Sequence, residues 1–306
     1  MNLKGHKPII WIPIVVSSDL DFKVVTGANQ RLVFADLIIG EERIKAKIKT
    51  EFVREITQQR YQYHQISQAV PFDEIGAYSW LNNMNVDDII RCLVLQRPHL
   101  KTSVGILPVY HHSAFLTLAQ NKVNSSRMRN KFDDILLEWY LEGIIESKPS
   151  LLGNPFKNCT QLIIPFHLRE HFSVAVIHLS KNNSKKFATI QYYDPLGQKL
   201  DEALQKQLKN YFTKQGFMVK FQCLSRQDQQ DDYNCGVFIT LKAIDLANKN
   251  AGDDEVQLPV EGLNQKSYHD FFNCHRYQMV NMLKGFGRNV YLSPDLIEKI
   301  GEYPSS

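Results

Sequence analysis

No two of the five cysteines, at positions 92, 159, 223, 235 and 274, stand in a Cys-x-x-Cys spacing. With that spacing missing and the count odd, neither a zinc knuckle nor a disulfide scaffold organises this chain, and a reducing working compartment is expected. No apolar run approaches the roughly 20 residues that span a bilayer, so stable membrane insertion is not expected. Charge of one sign is scarce too. The 36 Lys and Arg face 32 Asp and Glu, leaving +4 at pH 7. That excess provides no electrostatic footprint for a nucleic-acid partner. There is no repeat, no low-complexity tract and no HExxH spacing, and the pair His111-His112 has no carboxylate-rich neighbourhood. It is read as a loop or surface pair. No metal and no organic cofactor is expected.

What is present is ordinary for a globular chain: 306 residues, 43% hydrophobic and 22% charged, enough for one large domain or two modest ones. The opening could imitate a signal peptide, with a basic start and then apolar Pro8 to Val16. The run is short, carries two prolines and is followed by Ser17-Ser18-Asp19 without a small-residue cleavage site, so it reads as a buried strand. Residues 1–70 form an extension with a substrate-binding or regulatory role. Phe22 to Ile38 is strand-like in pieces. Glu41 to Ile66 is polar and helical in composition, with a partial apolar stripe at Ile44, Ile48, Phe52, Val53 and Ile56.

Asp73 to Leu93 carries apolar residues at helical spacing, with Asn82 and Asn83 placed to interrupt it or to cap a second turn. Gly105 to Val109 predicts a short strand. Ser113 to Asn121 and Asp133 to Ile145 predict helices. Thr160 to Phe166, His171 to Leu179 and Phe187 to Tyr193 predict three strands, the last two joined by a hairpin at Lys181 to Ser184. Lys199 to Gly216 is a helix with Leu200, Leu204, Leu208 and Phe212 on one face. Phe217 to Leu224 is a fourth strand and Cys235 to Ala247 a largely apolar helix. This order predicts an α+β core with one mixed or antiparallel sheet. Tyr268 to Leu283 and Tyr291 to Ile300 predict helices in a C-terminal extension, residues 251–306, that packs on the core.

Chemistry gathers in three places. Cys235 stands between the polar run Gln229-Gln230-Asp231-Asp232-Tyr233-Asn234 and the apolar helix that follows. Free N–H groups and the dipole at a helix N-terminus favour a thiolate there. His171 lies on a predicted strand and Asp194 at the end of another. Nucleophile, base and orienting acid are the parts of a thiol acyl-transfer site. The Cys235 N–H and a side-chain amide from Gln229 or Gln230 are candidate oxyanion donors, and the residues alone leave the two glutamines open. Gly236 removes side-chain bulk where a substrate backbone approaches the sulfur. Cys92 reads as a buried structural thiol. Cys274 and His275 are adjacent on a helix and point about 100° apart, which does not make a dyad.

These segments resemble the clan of ubiquitin-like-protein cysteine proteases that includes SUMO proteases, the adenovirus protease and bacterial effector deubiquitinases. The resemblance rests on Pro165-Phe166-His167-Leu168-Arg169-Glu170-His171-Phe172 with Val174-Ala175-Val176-Ile177, on Tyr192-Tyr193-Asp194-Pro195-Leu196-Gly197, and on Gln229 through Cys235-Gly236-Val237-Phe238. A fainter match is Tyr78-Ser79-Trp80-Leu81-Asn82-Asn83, similar to the Trp-Leu-Asn element beside the substrate-tail channel. The resemblance implies an α+β, papain-like protease core with a central mixed sheet flanked by helices, over residues 71–250. It assigns the oxyanion role to Gln229, six residues before the nucleophile, and implies a catalytic set of His171, Asp194, Gln229 and Cys235. Trp80, Phe172 and Gly236 become substrate-channel residues. Phe172 stands where the clan usually has tryptophan, and the stretch from Trp80 to Thr160 is longer than a minimal core needs. It holds an insertion around 120–155, with Asp133 to Ile145 as its recognition helix.

The implied reaction is cleavage after the C-terminal glycine of ubiquitin or a ubiquitin-like modifier, whose conjugates are the partners. Richness in Asn, Lys, Gln and Ile fits a low-GC bacterial genome and tilts the reading toward an effector deubiquitinase secreted into the host cytoplasm. The alternatives are an acetyl-CoA-dependent acetyltransferase effector, which resembles the same clan but usually carries glutamate as the acid, and a catalytically inactive ubiquitin-binding module.

Overall fold

The computed structural model describes residues 45, 47–54, 73–121, 131–146, 156, 158–249, 260 and 262–301. The strand expected at Pro8 to Val16, the strand-like pieces of Phe22 to Ile38, and parts of the extensions and of the insertion lie outside the described residues.

The centre is a six-stranded mixed sheet. Strand β4 (Gln161–Leu168) turns into β5 (His171–Asn182), which turns into β6 (Lys185–Tyr193), both pairings antiparallel. Strand β7 (Phe217–Cys223) adds parallel to β6. On the other side β2 (Val104–Ile106) and β3 (Tyr110–His111) lie parallel to successive parts of β4. Both hairpins close with two-residue turns whose central residues have positive φ: Arg169 and Glu170 at 50° and 59°, Asn183 and Ser184 at 45° and 66°. That is the turn geometry whose twist matches a right-handed strand pair.

Strand β5 explains why the sheet is covered on both faces. Its central residues are all buried, which requires packing above and below. Phe172, Val174 and Val176 face one core, built with helix α1 (Asn83–Leu95), helix α6 (Cys235–Asn248) and helix α7 (Gln265–Gly285). Ala175 and Ile177 face a second core with helices α3 (His112–Asn121), α4 (Leu136–Ile145) and α5 (Glu202–Lys214). The short helix α2 (Pro98–Lys101) connects α1 to β2. Ile48 and Phe52, from the helical stretch at 47–54, are buried in the second core, and Phe52 packs edge-on to Phe115 at 5.5 Å. Lys49 pairs there with Glu142 of α4.

An α+β core with a central mixed sheet flanked by helices is therefore what the chain forms, as expected. Two elements differ from their predicted form. Asp73 to Leu93 is not one helix. Residues Asp73–Ile75 form β1, which pairs in parallel with β8 (Val290–Leu292), and the helix starts only at Asn83. Asn82 caps it, its side chain accepting from Asn85 N at 2.8 Å, the start signal that asparagine gives best. Likewise Tyr291 lies in β8, and the last helix, α8 (Pro294–Gly301), begins at its proline. His111 and His112 lie in β3 and at the start of α3, not in a loop.

Candidate active site

His171 is the first residue of β5, set by the tight turn that closes register between Leu168 and His171. Asp194 is the first residue beyond β6, the strand paired to β5, so the ladder itself brings the two side chains together. His171 Nε2 donates to Asp194 Oδ1 at 3.0 Å. The same oxygen accepts from Leu196 N at 2.8 Å, which fixes the carboxylate within the turn Asp194-Pro195-Leu196-Gly197. Cys235 opens α6, 1% exposed, close enough to the imidazole to raise its pKa. With Nε2 engaged by Asp194, Nδ1 is the nitrogen left for the sulfur.

The electrostatics follow from that placement. Burial pulls the His171 pKa down, but its hydrogen bond to Asp194 and then the neighbouring Cys235 outweigh burial and raise it to about 9. The imidazolium is thus the favoured form at neutral pH. A second histidine, His167, behaves in the opposite way. Burial first, then the neighbouring His111 and His171, push it down to about 4. Its ring stacks between His111 and Phe172, 4.5 Å from each centroid.

The nucleophile loop is closed by side-chain hydrogen bonds. Asp231 Oδ1 accepts from Tyr233 N at 3.1 Å and Asn234 N at 2.8 Å, and Asp231 Oδ2 accepts from Asn234 Nδ2 at 2.7 Å. Asn234 is the N-cap residue of α6, yet its side chain does not cap the helix. It is spent on Asp231 and on Arg276, which leaves the first-turn N–H groups beside Cys235 without a side-chain cap. Unpaired donors of this kind suit a thiolate or an oxyanion.

The two candidate glutamines part company here. Gln229 is 2% exposed. Its Nε2 donates to Asp231 O at 2.7 Å, and its backbone N–H donates to Pro195 O at 2.9 Å. Gln230 is exposed, and its backbone N–H donates to Tyr268 Oη at 3.0 Å.

The expected channel residues are placed differently from one another. Trp80 is 46% exposed in the loop before α1. Beside it Tyr78 meets Tyr233 edge-on at 5.6 Å, and Tyr233 Oη bonds His269 Nδ1 at 3.0 Å. Phe172 is 1% exposed, with its ring against His167 in the core. A Cβ at Gly236 would lie 3.1 Å from Leu81 Cβ and 3.4 Å from Val86 Cγ2. Close packing of α6 on the start of α1 therefore itself asks for glycine at that position.

Sequence reasoning missed Asp231, Asn234 and Arg276. Asp231 and Asn234 had a legible signal, an acid and an amide three residues apart just before a helix start. Arg276 had one too. It sits in line with Tyr268, Phe272, Met279 and Leu283, a lone cation in the buried stripe of α7.

A buried cysteine at a helix start stands with a histidine that is paired to an aspartate on a central sheet, an arrangement able to carry thiol acyl transfer. Residues 79–274 match the Ulp1 protease family, C-terminal catalytic domain, and the chain belongs to that family of cysteine proteases, which act on ubiquitin-like modifiers such as SUMO. Its fold is the one that family shares. Among solved structures it is similar to an effector protein, RickCE, of Rickettsia bellii, with 11% identity, a TM-score of 0.43, and coverage of 74% of this chain and 99% of that one. It is also similar to the Ulp1-like SUMO protease catalytic domain of Chaetomium thermophilum (17% identity, TM-score 0.38, 68% and 74% covered). A third is a de-sumoylating protease (12%, 0.38, 72% and 82%). No curated protein matches the chain. No helix among the described residues is long and apolar enough to cross a membrane.

Proposed function

We propose that this protein hydrolyses the peptide or isopeptide bond after the C-terminal glycine of ubiquitin or a ubiquitin-like modifier. The observation that carries the reading is the junction of Cys235, His171 and Asp194, with His171 held as an imidazolium between the other two.

In this reading the Cys235 thiolate attacks the glycine carbonyl. First-turn N–H groups of α6 and the Gln229 amide hold the oxyanion. As the tetrahedral intermediate collapses, the C–N bond breaks and His171 delivers its proton to the departing lysine amine. The neutral imidazole then takes a proton from water, whose oxygen attacks the thioester. The C–S bond breaks, releasing the modifier's carboxylate and restoring the ion pair. Asp194 keeps the ring in the orientation both steps need. Trp80, exposed at the approach to the site, is a wall for the substrate tail.

We further infer that the protein works as a bacterial effector inside a host cell, with ubiquitin as its modifier. The bias toward Asn, Lys, Gln and Ile, as in a low-GC genome, supports that origin.

The test is covalent labelling of wild type and Cys235→Ala with C-terminal electrophile probes of ubiquitin, NEDD8 and SUMO. A Cys235-dependent adduct with ubiquitin is expected. An adduct with another modifier alone replaces ubiquitin as the substrate. No adduct with any probe overturns the modifier-protease reading.

A further inference from the structure

Arg276 is completely buried, and its hydrogen bonds all go to neutral acceptors. Nε and Nη2 both donate to Asn234 Oδ1, at 3.1 and 2.9 Å. Nη1 donates to Gly76 O at 3.0 Å and Nη2 also to Tyr233 O at 3.2 Å. Its Cζ lies 5.7 Å from the centre of the Tyr233 ring. The guanidinium thus grips one amide oxygen with its fork and ties the nucleophile loop to the segment just before Trp80.

A buried cation is expensive, and a well-packed apolar side chain in its place is often as stable or more so. The fork satisfies three acceptors, and its charge acts on what stands beside them. Asn234 directly precedes Cys235, and Asp231 is bound to Asn234 through two hydrogen bonds. The Cys235 sulfur, whose charge changes in the proposed reaction, belongs to the residue that follows the gripped Asn234.

We infer that Arg276 is a positioning residue for the nucleophile: its fork fixes the loop at 231–234 so that Cys235 meets His171, and its charge favours the thiolate. This rests on the reading of Cys235 as nucleophile. It makes helix α7 a working part of the site, although α7 follows the nucleophile helix in the chain. Consistent with the same neighbourhood, burial lowers the Arg276 pKa to about 10, opposed by Asp231, Tyr233 and Cys235.

The experiment is the pH dependence of iodoacetamide alkylation at Cys235, read by mass spectrometry on the full chain, for wild type, Arg276→Met and Arg276→Lys. Unfolding midpoints are recorded alongside. In Arg276→Met the alkylation midpoint is expected to rise by about one pH unit, roughly a tenfold loss of thiolate below the midpoint. Arg276→Lys, which keeps the charge and loses the fork, should fall between. With a labelling substrate, kcat should drop roughly tenfold while KM stays within about twofold. Folded Arg276→Met with the wild-type alkylation profile overturns the inference. Should that variant not fold, Arg276→Lys and Asn234→Ser decide, and unchanged profiles in both overturn it. Alkylation needs no modifier, so a shifted profile together with silent modifier probes would keep this inference and discard only the substrate.

Discussion

Replacing Asp194 with asparagine removes one charge and almost no volume. The amide oxygen can still accept from Leu196 N and from His171 Nε2, so the turn and the ring orientation survive. What is lost is the carboxylate that holds His171 protonated. The histidine stands at about 9 against an ordinary 6.5, a shift worth on the order of 3 kcal/mol in folding free energy. The sign follows from the direction. A group whose folded pKa is raised contributes fully below the unfolded value, so this stabilisation is complete below pH 6.5 and is lost as pH rises through about 9. Asp194 outranks Cys235 in both the hydrogen-bonding and the charge contributions, so asparagine should abolish the larger share, about 2 kcal/mol.

The assay is urea unfolding of wild type and Asp194→Asn at intervals between about pH 6 and pH 10, followed by tryptophan fluorescence, with linear extrapolation. The stability gap should be widest near pH 6 and narrow steadily toward pH 10. Repeating both in a Cys235→Ala background removes the sulfur from the titration, and the narrowing should persist. A gap that stays constant across the window would falsify the charged-pair assignment. Turnover should fall roughly 10²- to 10⁴-fold, since a histidine without its acid loses the imidazolium that the mechanism needs.

Gln229→Ala should cost about 2.7–4 kcal/mol in transition-state stabilisation with little change in KM, while Gln230→Ala leaves kcat near wild type. A larger kcat loss from Gln230→Ala reverses the assignment. Gly236→Ala should destabilise the fold by about 1–2 kcal/mol in urea unfolding, because Leu81 meets the new methyl with its own Cβ and cannot swing away. A stabilised variant would mean that the helical gain from alanine wins and that the close approach is slack.

The strands of the central sheet were readable because each carries its instruction locally. Residues Leu162 to Phe166 and Val174 to Ile177 are apolar without a break, and polar residues at Arg169-Glu170 and Asn183-Ser184 mark the turns. What could not be read depends on distant partners. Asp73 to Ile75 is a strand only because Val290 to Leu292 lies beside it, and nothing within the segment announces that neighbour. Trp80, Leu81 and Met84 fall at helical spacing by coincidence, for Trp80 faces solvent while Leu81 packs on α6. The residue types of the candidate site were legible as a set, and the position of Gly236 was too. Its packing against Leu81 was not, because close packing and substrate approach ask for the same residue.

The turn Asp194-Pro195-Leu196-Gly197 links two parts of the proposed machinery that the sequence keeps 35 residues apart. Asp194 begins it and holds His171. Pro195, next in the turn, accepts through its carbonyl from the N–H groups of Asp228 and Gln229, each at 2.9 Å. Leu196 bridges to Gln227, and Gly197 at φ 75° leaves a backbone space in which a Cβ would come within 3.3 Å of Gln227 N. The orienting acid and the proposed oxyanion amide therefore share one rigid support. Strain there cannot stay local. A side chain at Gly197 would push on the 226–229 stretch of the loop, and with it Gln229, while pulling on the carboxylate that orients His171. The glycine serves that double duty: its positive φ disfavours most side chains, and a Cβ there would press on the Gln227 backbone.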